Sequence, residues 1–205
     1  EYSRELVRRL AQTGLRWTAQ TDMSGAEDDS FLETLGNSGC KHLFIGFETL
    51  SKEGKVDKHG WKNSRIEKYP EIIRKIQSRG VGILGSFILG LDDDDTSVFD
   101  NLSDFIIDNR LYAAQVFALT PLPGTSLRKK LLDEGRVLSS EWSRYTFFDV
   151  NFMPKRMTPE ELREGILRVY KRIYRPEARM SVVKYFKSIY AKLYEQKSHV
   201  GDASL

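Results

Sequence analysis

The stretch Val81-Gly-Ile-Leu-Gly-Ser-Phe-Ile-Leu-Gly-Leu-Asp92 determines the fold that we expect for this chain. It is an apolar run bounded by turn residues, too short to cross a bilayer and typical of a strand that is buried on both faces. Acidic residues and Thr96 follow it directly, and they suit the first turn of a helix because a carboxylate accepts hydrogen bonds from the free amides there. The sequence therefore predicts a central parallel strand that leads into a helix. In α/β proteins the functional groups lie at the carboxyl end of such a strand.

Three further strand candidates accompany this central strand, which spans about 81–90. Each is a short run of apolar and β-forming residues, and they cover about 15–21, 42–48 and 112–120. Stretches with helical apolar periodicity separate them, and two of these helices have capping-box spacing at Ser30–Glu33 and Ser64–Glu67. Because crossovers between successive strands of such units are right-handed, the order predicts an α/β fold with about four parallel βα units.

The composition changes at about Arg136, from alternating strands and helices to an aromatic and basic stretch. A strong helix start follows, with Thr158 as the cap, Pro159 at the first helical position and Glu161 three residues after the cap. A last helix is predicted from about Ala178. We therefore divide the chain into residues 1–135, which hold the βα units, and residues 136–205, a helical carboxyl-terminal extension.

Length and composition restrict the class of protein. With 205 residues, 40% of them hydrophobic, the chain can bury a core of one domain with an appendage. A net charge of +3 gives little support for nucleic acid as the principal partner. Cys40 is the only cysteine, which excludes an internal disulfide and a multi-cysteine metal or iron-sulfur site within these residues. No window resembles a signal peptide or a membrane span, so we expect a cytoplasmic protein without a membrane-spanning segment. The chain begins at Glu1 without an initiator Met, and we expect it to be part of a longer protein.

The predicted strand ends bring together groups suited to binding rather than to hydrolysis. They supply one carboxylate, one amide, several hydroxyls and bare glycine backbone, at Gln20, Thr21, Glu48, 86–92 and 119–121. No histidine lies at these ends, and there is no plausible Ser-His-Asp arrangement, phosphate-binding glycine loop or metal-ligand spacing. Glu48 could accept hydrogen bonds from ribose hydroxyls or an amine, while the glycine-interrupted strand could lie against a flat base.

Each of these features also has a purely structural interpretation. Glu48 could pair with Lys52 on the surface, and the glycines of the central strand could simply let a helix pack closely. Asp92–Asp95 could be a solvated helix start rather than a magnesium site, and the lysine-rich stretch at 52–62 a solvated face rather than a guide for an anionic substrate. Cys40 could be a small core residue. The aromatic residues at 142–152 could form a packed core rather than a stacking platform.

Five segments in order resemble one family. They are SGCKHLFIGFETLS (38–51), GVGILGSFILGLD (80–92), LTPLPGT (119–125), DEGR (133–136) and MTPEEL (157–162). The series is similar to the radical S-adenosylmethionine superfamily, in the class that carries an upstream cobalamin-binding domain. The resemblance implies a partial TIM-like barrel, (β/α)₆ in the family. It also implies a 4Fe-4S cluster held by a Cys-x₃-Cys-x₂-Cys loop, and reductive cleavage of S-adenosylmethionine to a 5′-deoxyadenosyl radical.

The resemblance also implies roles for particular residues. Glu48 matches the position that contacts the ribose or methionine part of the cofactor. The remaining matches are Phe87, Ile88 and Gly90, which line adenine, Leu119, Thr120 and Pro121 beside them, and Gln20 and Thr21, where cofactor and substrate meet. The cysteine loop does not occur in this chain, so the chain corresponds to the third to sixth strands and the extension. The cluster ligands and any cobalamin domain are expected upstream, and this chain alone is expected to be inactive.

Three functional hypotheses follow. The leading one is a piece of a radical enzyme that acts on a small molecule, with cobalamin-dependent methyl or alkyl transfer or rearrangement as its reaction. The alternative is a non-catalytic α/β binding or scaffold module. A third gives the basic helix of residues 178–196 a role in docking a partner or nucleic acid. Four strands would also leave an open sheet edge at about 15–21, which predicts pairing with the missing barrel units or a dimer.

Overall fold

The computed structural model describes residues 2–24, 28–51 and 63–202. The lysine-rich loop at 52–62 therefore lies outside the described residues. Helices and strands alternate in the order α1 (Tyr2–Gln12), β1 (Trp17–Thr21), α2 (Asp29–Asn37), β2 (Cys40–Glu48), α3 (Tyr69–Ser78), β3 (Gly82–Leu89), α4 (Val98–Asp108), β4 (Ala113–Ala118), α5 (Ser126–Asp133), α6 (Pro159–Ile173) and α7 (Pro176–Asp202).

The four strands form one parallel sheet in the order β1-β2-β3-β4. The predicted α/β class, the four parallel units and the carboxyl-terminal helices are confirmed. Strand β3 pairs on both sides, as expected of the central apolar run. Strand β1 starts two residues later than predicted, because the amide of Leu15 donates to Thr13 Oγ1 at 3.2 Å and holds that residue in the preceding turn.

One face of the sheet is covered by helices and forms the core. Side chains at alternate positions of β2 and β3 point into it, and Phe47 and Phe87 stack there with ring centroids 5.4 Å apart. Phe105 of α4 and Tyr69 of α3 meet these rings edge-on. Such burial removes large apolar surfaces from water, which is the main favourable term in folding. Helix α6 adds Leu162, Ile166, Val169 and Ile173 to the same core.

We call the opposite side of the sheet the open face, because most of its side chains are half-buried or exposed. The alternation of strand residues places on it Thr18, Gln20, His42, Phe44, Gly46, Leu84, Ser86, Ile88, Gln115 and Phe117. Cross-strand register aligns Ser86 with Gln115 and Ile88 with Phe117. The open face is therefore a polar and aromatic surface next to the strand carboxyl ends.

Two tyrosines of α6 complete the outer edge of β4. The Tyr170 hydroxyl accepts a hydrogen bond from the amide of Val116 at 2.8 Å and donates to the carbonyl of the same residue at 3.2 Å. The Tyr174 hydroxyl forms the same pair of bonds with Ala114, at 3.2 and 3.0 Å. An edge strand otherwise exposes unpaired backbone groups. Each tyrosine hydroxyl thus satisfies the amide and the carbonyl that one residue of a fifth strand would otherwise bond.

Helix α7 crosses the amino-terminal ends of the central strands. The Tyr190 hydroxyl donates to the carbonyl of Gly80 at 3.0 Å, and Arg179 Nη1 donates to the carbonyl of Tyr112 at 2.6 Å. Phe186 packs edge-on against Tyr112. Within the described ranges, no helix combines the length and the apolar composition needed to cross a membrane.

Local capping differs from the sequence-based prediction in two helices. The cap of α2 is Asp28, which accepts from the amide of Phe31, so the spacing at Ser30 does not mark this start. Residues 63–68 form a 3-10 turn before α3, which begins at Tyr69 with Pro70 in its first turn. The predicted capping box of α6 at Thr158 and Glu161 is confirmed.

The tyrosine edge gives a stability prediction. Tyr170→Phe and Tyr174→Phe each remove one donor and one acceptor from half-buried backbone groups, so each is expected to lower the free energy of unfolding by about 1–2 kcal/mol. Urea unfolding measures this loss. Tyr194→Phe, at an exposed tyrosine of α7, is the matched control and should stay within about 0.5 kcal/mol of wild type. A Tyr170→Phe variant as stable as the control would contradict the role given to the phenol.

Candidate functional site

A pocket of about 200 Å³ lies where the carboxyl ends of β2 and β3 meet the start of α4. We call it the rim pocket. Polar and apolar residues both line it, and the polar ones are Glu48, Thr49, Ser51, Asp93, Asp94, Asp95, Ser97 and Asn101. This is the position at which parallel α/β sheets collect functional groups.

Glu48 reaches the rim pocket through an unusual backbone conformation. Its φ is +68°, in the left-handed region that costs a non-glycine residue about 1–2 kcal/mol. The register between β2 and β3 shifts between Gly46 and Glu48, so the regular alternation of β2 ends there. The next amide, of Thr49, donates back to the carbonyl of Phe47 at 2.9 Å. Strain of this kind persists only where the surroundings enforce it and is typical of functional sites.

Asp94 holds the turn that links β3 to α4. Its side chain is 3% exposed and accepts hydrogen bonds from the amides of Gly90 at 2.8 Å and Leu91 at 3.0 Å. Burial raises the pKa of Asp94 to about 6, although the two amide bonds act in the opposite direction. The prediction of a solvated helix start is therefore wrong for this residue.

Asp92 is the centre of an ion-pair cluster rather than a solvated residue. Its carboxylate lies 2.7 Å from Lys130 Nζ, 2.9 Å from Arg136 Nη1 and 3.1 Å from Lys155 Nζ. Burial alone would raise the pKa of Asp92, but the bonds to the three cations outweigh it and hold that pKa well below its usual range. Arg136 also donates to the carbonyl of Met153 at 2.7 Å. The cluster ties the end of β3 to the segments that follow β4.

The only cysteine is unsuited to ligation. Cys40 is buried, and burial raises the pKa of its thiol to about 12. The thiolate is the form that binds metals, so this side chain is inert. Its prediction as a small core residue is confirmed. Over residues 2–24, 28–51 and 63–202, no group of three or more His, Cys, Asp or Glu side chains is placed to hold a metal ion.

Two glycines, at the start of β3 and directly after it, make room for neighbouring side chains. A Cβ on Gly90 would lie 2.7 Å from Leu162 Cδ2 and 2.9 Å from Phe152 Cζ, and its φ of +97° also favours glycine. A Cβ on Gly82 would lie 2.8 Å from His42 Cδ2. The interpretation that these glycines let a helix pack closely agrees with the structure at Gly90, because Leu162 belongs to α6, but at Gly82 the close neighbour is a residue of β2.

The predicted cofactor-contacting residues fall into three places. Glu48 lies in the rim pocket, as does Phe87, although the ring of Phe87 is fully buried against Phe47. Ile88 lies on the open face. Gly90 and the residues after β4 form the end of the sheet, where the amide of Leu119 donates to the carbonyl of Leu89 at 2.8 Å. Thr120 Oγ1 donates to the carbonyl of Ala118, and the carbonyl of Pro121 accepts from Arg128.

Gln20 and Thr21 point to opposite faces of β1. Gln20 is exposed on the open face, whereas Thr21 is half-buried on the helix-covered side. Gln20 is aligned through Phe44 of β2 with Leu84 of β3, a span of about 10 Å across two strand spacings. Only Gln20 of this pair can therefore share a binding surface with β3.

Sequence reasoning missed the aromatic part of the open face. Phe152 is fully buried, as predicted for the aromatics at 142–152, but Phe147 and Phe148 are 50% and 60% exposed. Both rings lie 5.5 Å from the ring of Phe117 on β4. The prediction of a packed core is therefore wrong for this pair and also for Trp142, which is 57% exposed. The period-two alternation of β4, which places Phe117 on the open face, was the available signal.

Comparisons with known proteins agree with this architecture. The bacteriochlorophyllide d C-12(1)-methyltransferase of Chlorobaculum tepidum is 31% identical over 180 residues, which cover 88% of this chain and 39% of that protein. The anaerobic magnesium-protoporphyrin IX monomethyl ester cyclase of Cereibacter sphaeroides is 25% identical over 179 residues, covering 87% of this chain and 29% of that protein. A family model described as a domain of unknown function, DUF4070, matches residues 125–203.

Among solved structures, the fold is similar to the radical S-adenosylmethionine methyltransferase TsrM from Kitasatospora setae, with cobalamin and a 4Fe-4S cluster bound. The TM-score is 0.55 at 16% identity, over 65% of this chain and 28% of that chain. The four parallel βα units of this chain correspond to part of that fold. The chain is therefore similar in sequence to a methyltransferase and a cyclase, and similar in fold to a radical S-adenosylmethionine methyltransferase. It spans 39% and 29% of the two curated relatives described above.

The raised pKa of Asp94 gives a pH prediction. The stability that this group contributes is fully present below its unfolded-state pKa and is lost as the pH rises through about 6. Relative to Asp94→Asn, wild type should therefore lose about 2–3 kcal/mol of unfolding free energy between about pH 4 and pH 7. Chemical unfolding at a series of pH values measures the difference. Asp133→Asn, at an exposed carboxylate at the end of α5, should show no such slope. A difference in unfolding free energy between wild type and Asp94→Asn that does not change with pH would contradict the raised pKa of Asp94.

Proposed function

We propose that this chain is the carboxyl-terminal part of the catalytic barrel of a radical S-adenosylmethionine enzyme. In this role its open face and rim pocket form one wall of the cofactor and substrate site. The observation that carries the proposal is Glu48, a carboxylate held in a strained conformation at the end of β2, next to the glycine-containing strand β3. Its relatives are named as methyltransferases and a cyclase, which supports an enzyme rather than a scaffold module.

The residues present suit S-adenosylmethionine in chemical type. Glu48 offers a carboxylate to ribose hydroxyls or to the ammonium group, and Gln20 and Gln115 offer donors and acceptors on the open face. Ile88 and the bare backbone of Gly46 offer a flat apolar wall for the adenine. Bound together, S-adenosylmethionine and the cluster would supply the radical that starts the reaction. The residues of this chain bind and orient the cofactor and exclude water from it.

The 4Fe-4S cluster does not fit residues of this chain, because Cys40 is its only cysteine and is buried with a raised thiol pKa. We therefore place the cluster ligands outside these 205 residues, in further barrel units. Cobalamin, bound by a separate domain, is the proposed methyl or alkyl carrier, and TsrM is a structural neighbour that binds it. A small-molecule substrate and a cytoplasmic location complete the proposal, the location being consistent with a single cysteine.

The cofactor role of Glu48 is tested in the full-length protein with its cluster reconstituted. Glu48→Gln should weaken S-adenosylmethionine binding about tenfold, because a charge-assisted hydrogen bond becomes a neutral one. Formation of 5′-deoxyadenosine under reducing conditions is the activity readout. Glu164→Gln, at an exposed carboxylate of α6, is the control and should bind as wild type does. Absence of any reductive cleavage by the wild-type protein would refute the enzyme proposal itself.

The outer edge of β1 is the proposed pairing site for the missing barrel units. Strand β1 has a neighbour on one side only, and a groove of about 340 Å³ lies beside it, lined mainly by apolar residues that include Leu6, Leu10, Trp17, Phe31 and Leu43. An uncovered edge with such a groove favours association. The isolated chain is therefore expected to form dimers whose fraction rises with concentration in sedimentation experiments, whereas the full-length protein should not dimerise through this edge. A chain that stays monomeric at all concentrations would contradict the dimer.

A further inference from the structure

Three phenylalanines form an exposed aromatic surface at the carboxyl end of β4. Phe117 projects from β4 onto the open face, and the rings of Phe147 and Phe148 both lie 5.5 Å from it, inclined by 53° and 64°. We call these three residues the aromatic ledge. Phe117 is in register with Ile88 of β3, so the ledge continues the surface proposed above for the cofactor.

The ledge is held in place by the backbone of the segment that carries it. The carbonyl of Phe147 accepts a hydrogen bond from the amide of Ala118 at 2.8 Å, at the edge position that follows those bound by the two tyrosines. On its amino-terminal side, Arg128 lies 4.8 Å from the ring of Trp142 and 5.1 Å from that of Tyr145. The same guanidinium donates to the Tyr145 hydroxyl and to the carbonyl of Pro121.

The carboxyl-terminal side of the segment is equally fixed. Asn151 is buried, its side-chain amide donates to the carbonyl of Arg144, and its carbonyl accepts from the amide of Leu138 at 2.9 Å. Phe152 then enters the core. Because both flanks are bonded, the exposure of Phe147 and Phe148 results from a defined geometry and not from a lack of contacts in the segment.

A pair of half-exposed phenylalanines on a fixed backbone is unfavourable in water unless something covers it. Burying such a ring stabilises a complex by removing apolar surface from water, and aromatic rings add a preference for stacked or edge-on partners. Phe152, five residues after Phe147, shows that the same segment can bury a ring fully when packing is its role. The ledge is thus a preformed apolar surface beside the strand ends.

We propose that the aromatic ledge binds the substrate, and that this substrate is a large flat conjugated ring of the tetrapyrrole type with acidic substituents. This inference deepens the proposed function and rests on it for the location of the reacting centre. Three rings at one strand end match a wide planar partner better than a single small ring. Among the cations of residues 128–156, Lys130, Arg136 and Lys155 are paired with Asp92, whereas Arg144 is exposed three residues before Phe147 and suits a carboxylate substituent.

The test is equilibrium binding of protoporphyrin IX to the full-length protein, followed by porphyrin absorbance and fluorescence without any turnover. The double variant Phe147→Ala/Phe148→Ala should bind about tenfold more weakly, since two stacking contacts are lost. The double Tyr variant keeps both rings and should retain binding. Leu167→Ala removes an equally exposed apolar side chain from α6 and should change the affinity less than about twofold. Melting temperatures of all variants report whether each is folded.

Several results would overturn the assignment. Equal binding by wild type and the double Ala variant would show that the ledge is not the site. Binding of a saturated pentacyclic triterpene with equal affinity and equal sensitivity to the variants would show an apolar surface without selectivity for conjugated rings. Competition between protoporphyrin and S-adenosylmethionine would identify the ledge as an adenine platform. Because no reductive cleavage is measured, failure here leaves the proposed function untouched, and failure of that function leaves porphyrin binding measurable.

Discussion

Every strand of a sheet must satisfy its backbone donors and acceptors, and this constraint is most demanding at the two edges of a four-stranded parallel sheet. At β4 the protein meets it with side chains, because the hydroxyls of Tyr170 and Tyr174 bond both backbone groups of Val116 and Ala114. The carbonyl of Phe147 extends this edge to Ala118. The closed edge fixes α6 against the sheet and sets the position of the aromatic ledge. Among the described residues, no strand pairs with the outer edge of β1.

Three carboxylates with different surroundings organise the rim of the sheet. Asp92 is ionised among three cations, Asp94 is buried on two amides with a raised pKa, and Glu48 sits on a strained backbone in the rim pocket. The first two are structural, because their partners are protein groups that close the turns after β3. Fixing those turns keeps the end of β3 rigid beside Glu48. A rigid frame of this kind is what a binding site needs to hold a cofactor without reorganisation.

The sequence allowed the layout of the sheet to be predicted because its signals are local and mutually consistent. The apolar run at 81–90 and its turn residues identify β3, and Thr158 with Glu161 identify the start of α6. Contacts between residues far apart in the sequence could not be predicted from such local signals. Spacing gives no sign that Asp94 folds back onto Gly90, or that Asp92 meets cations up to Lys155, since both depend on how loops meet in space.

The candidate site was predictable only in part, for the same reason. Glu48 and Ile88 follow from strand ends and alternation, and alternation also separates Gln20 from Thr21. Composition could not distinguish Phe152, which enters the core, from Phe147 and Phe148, which do not. That distinction depends on the path of an irregular segment, and this path is set by the Arg128 contacts and the Ala118 bond rather than by any periodic pattern.

The tyrosine edge also has a geometric consequence. Residues four apart on a helix are separated by about 6.0 Å along its axis, and residues two apart on a strand by about 6.6 Å. The two repeats agree closely enough for Tyr170 and Tyr174 to match Val116 and Ala114, with the helix running antiparallel to the strand. The next match, at Ala118, would fall to Ile166, which has no hydroxyl and points into the core. The match between the helix repeat and the strand repeat therefore ends before Ala118, and the carbonyl of Phe147 bonds the amide of Ala118 instead. The number of strand residues that side chains of α6 can bond thus determines where the aromatic segment attaches to β4.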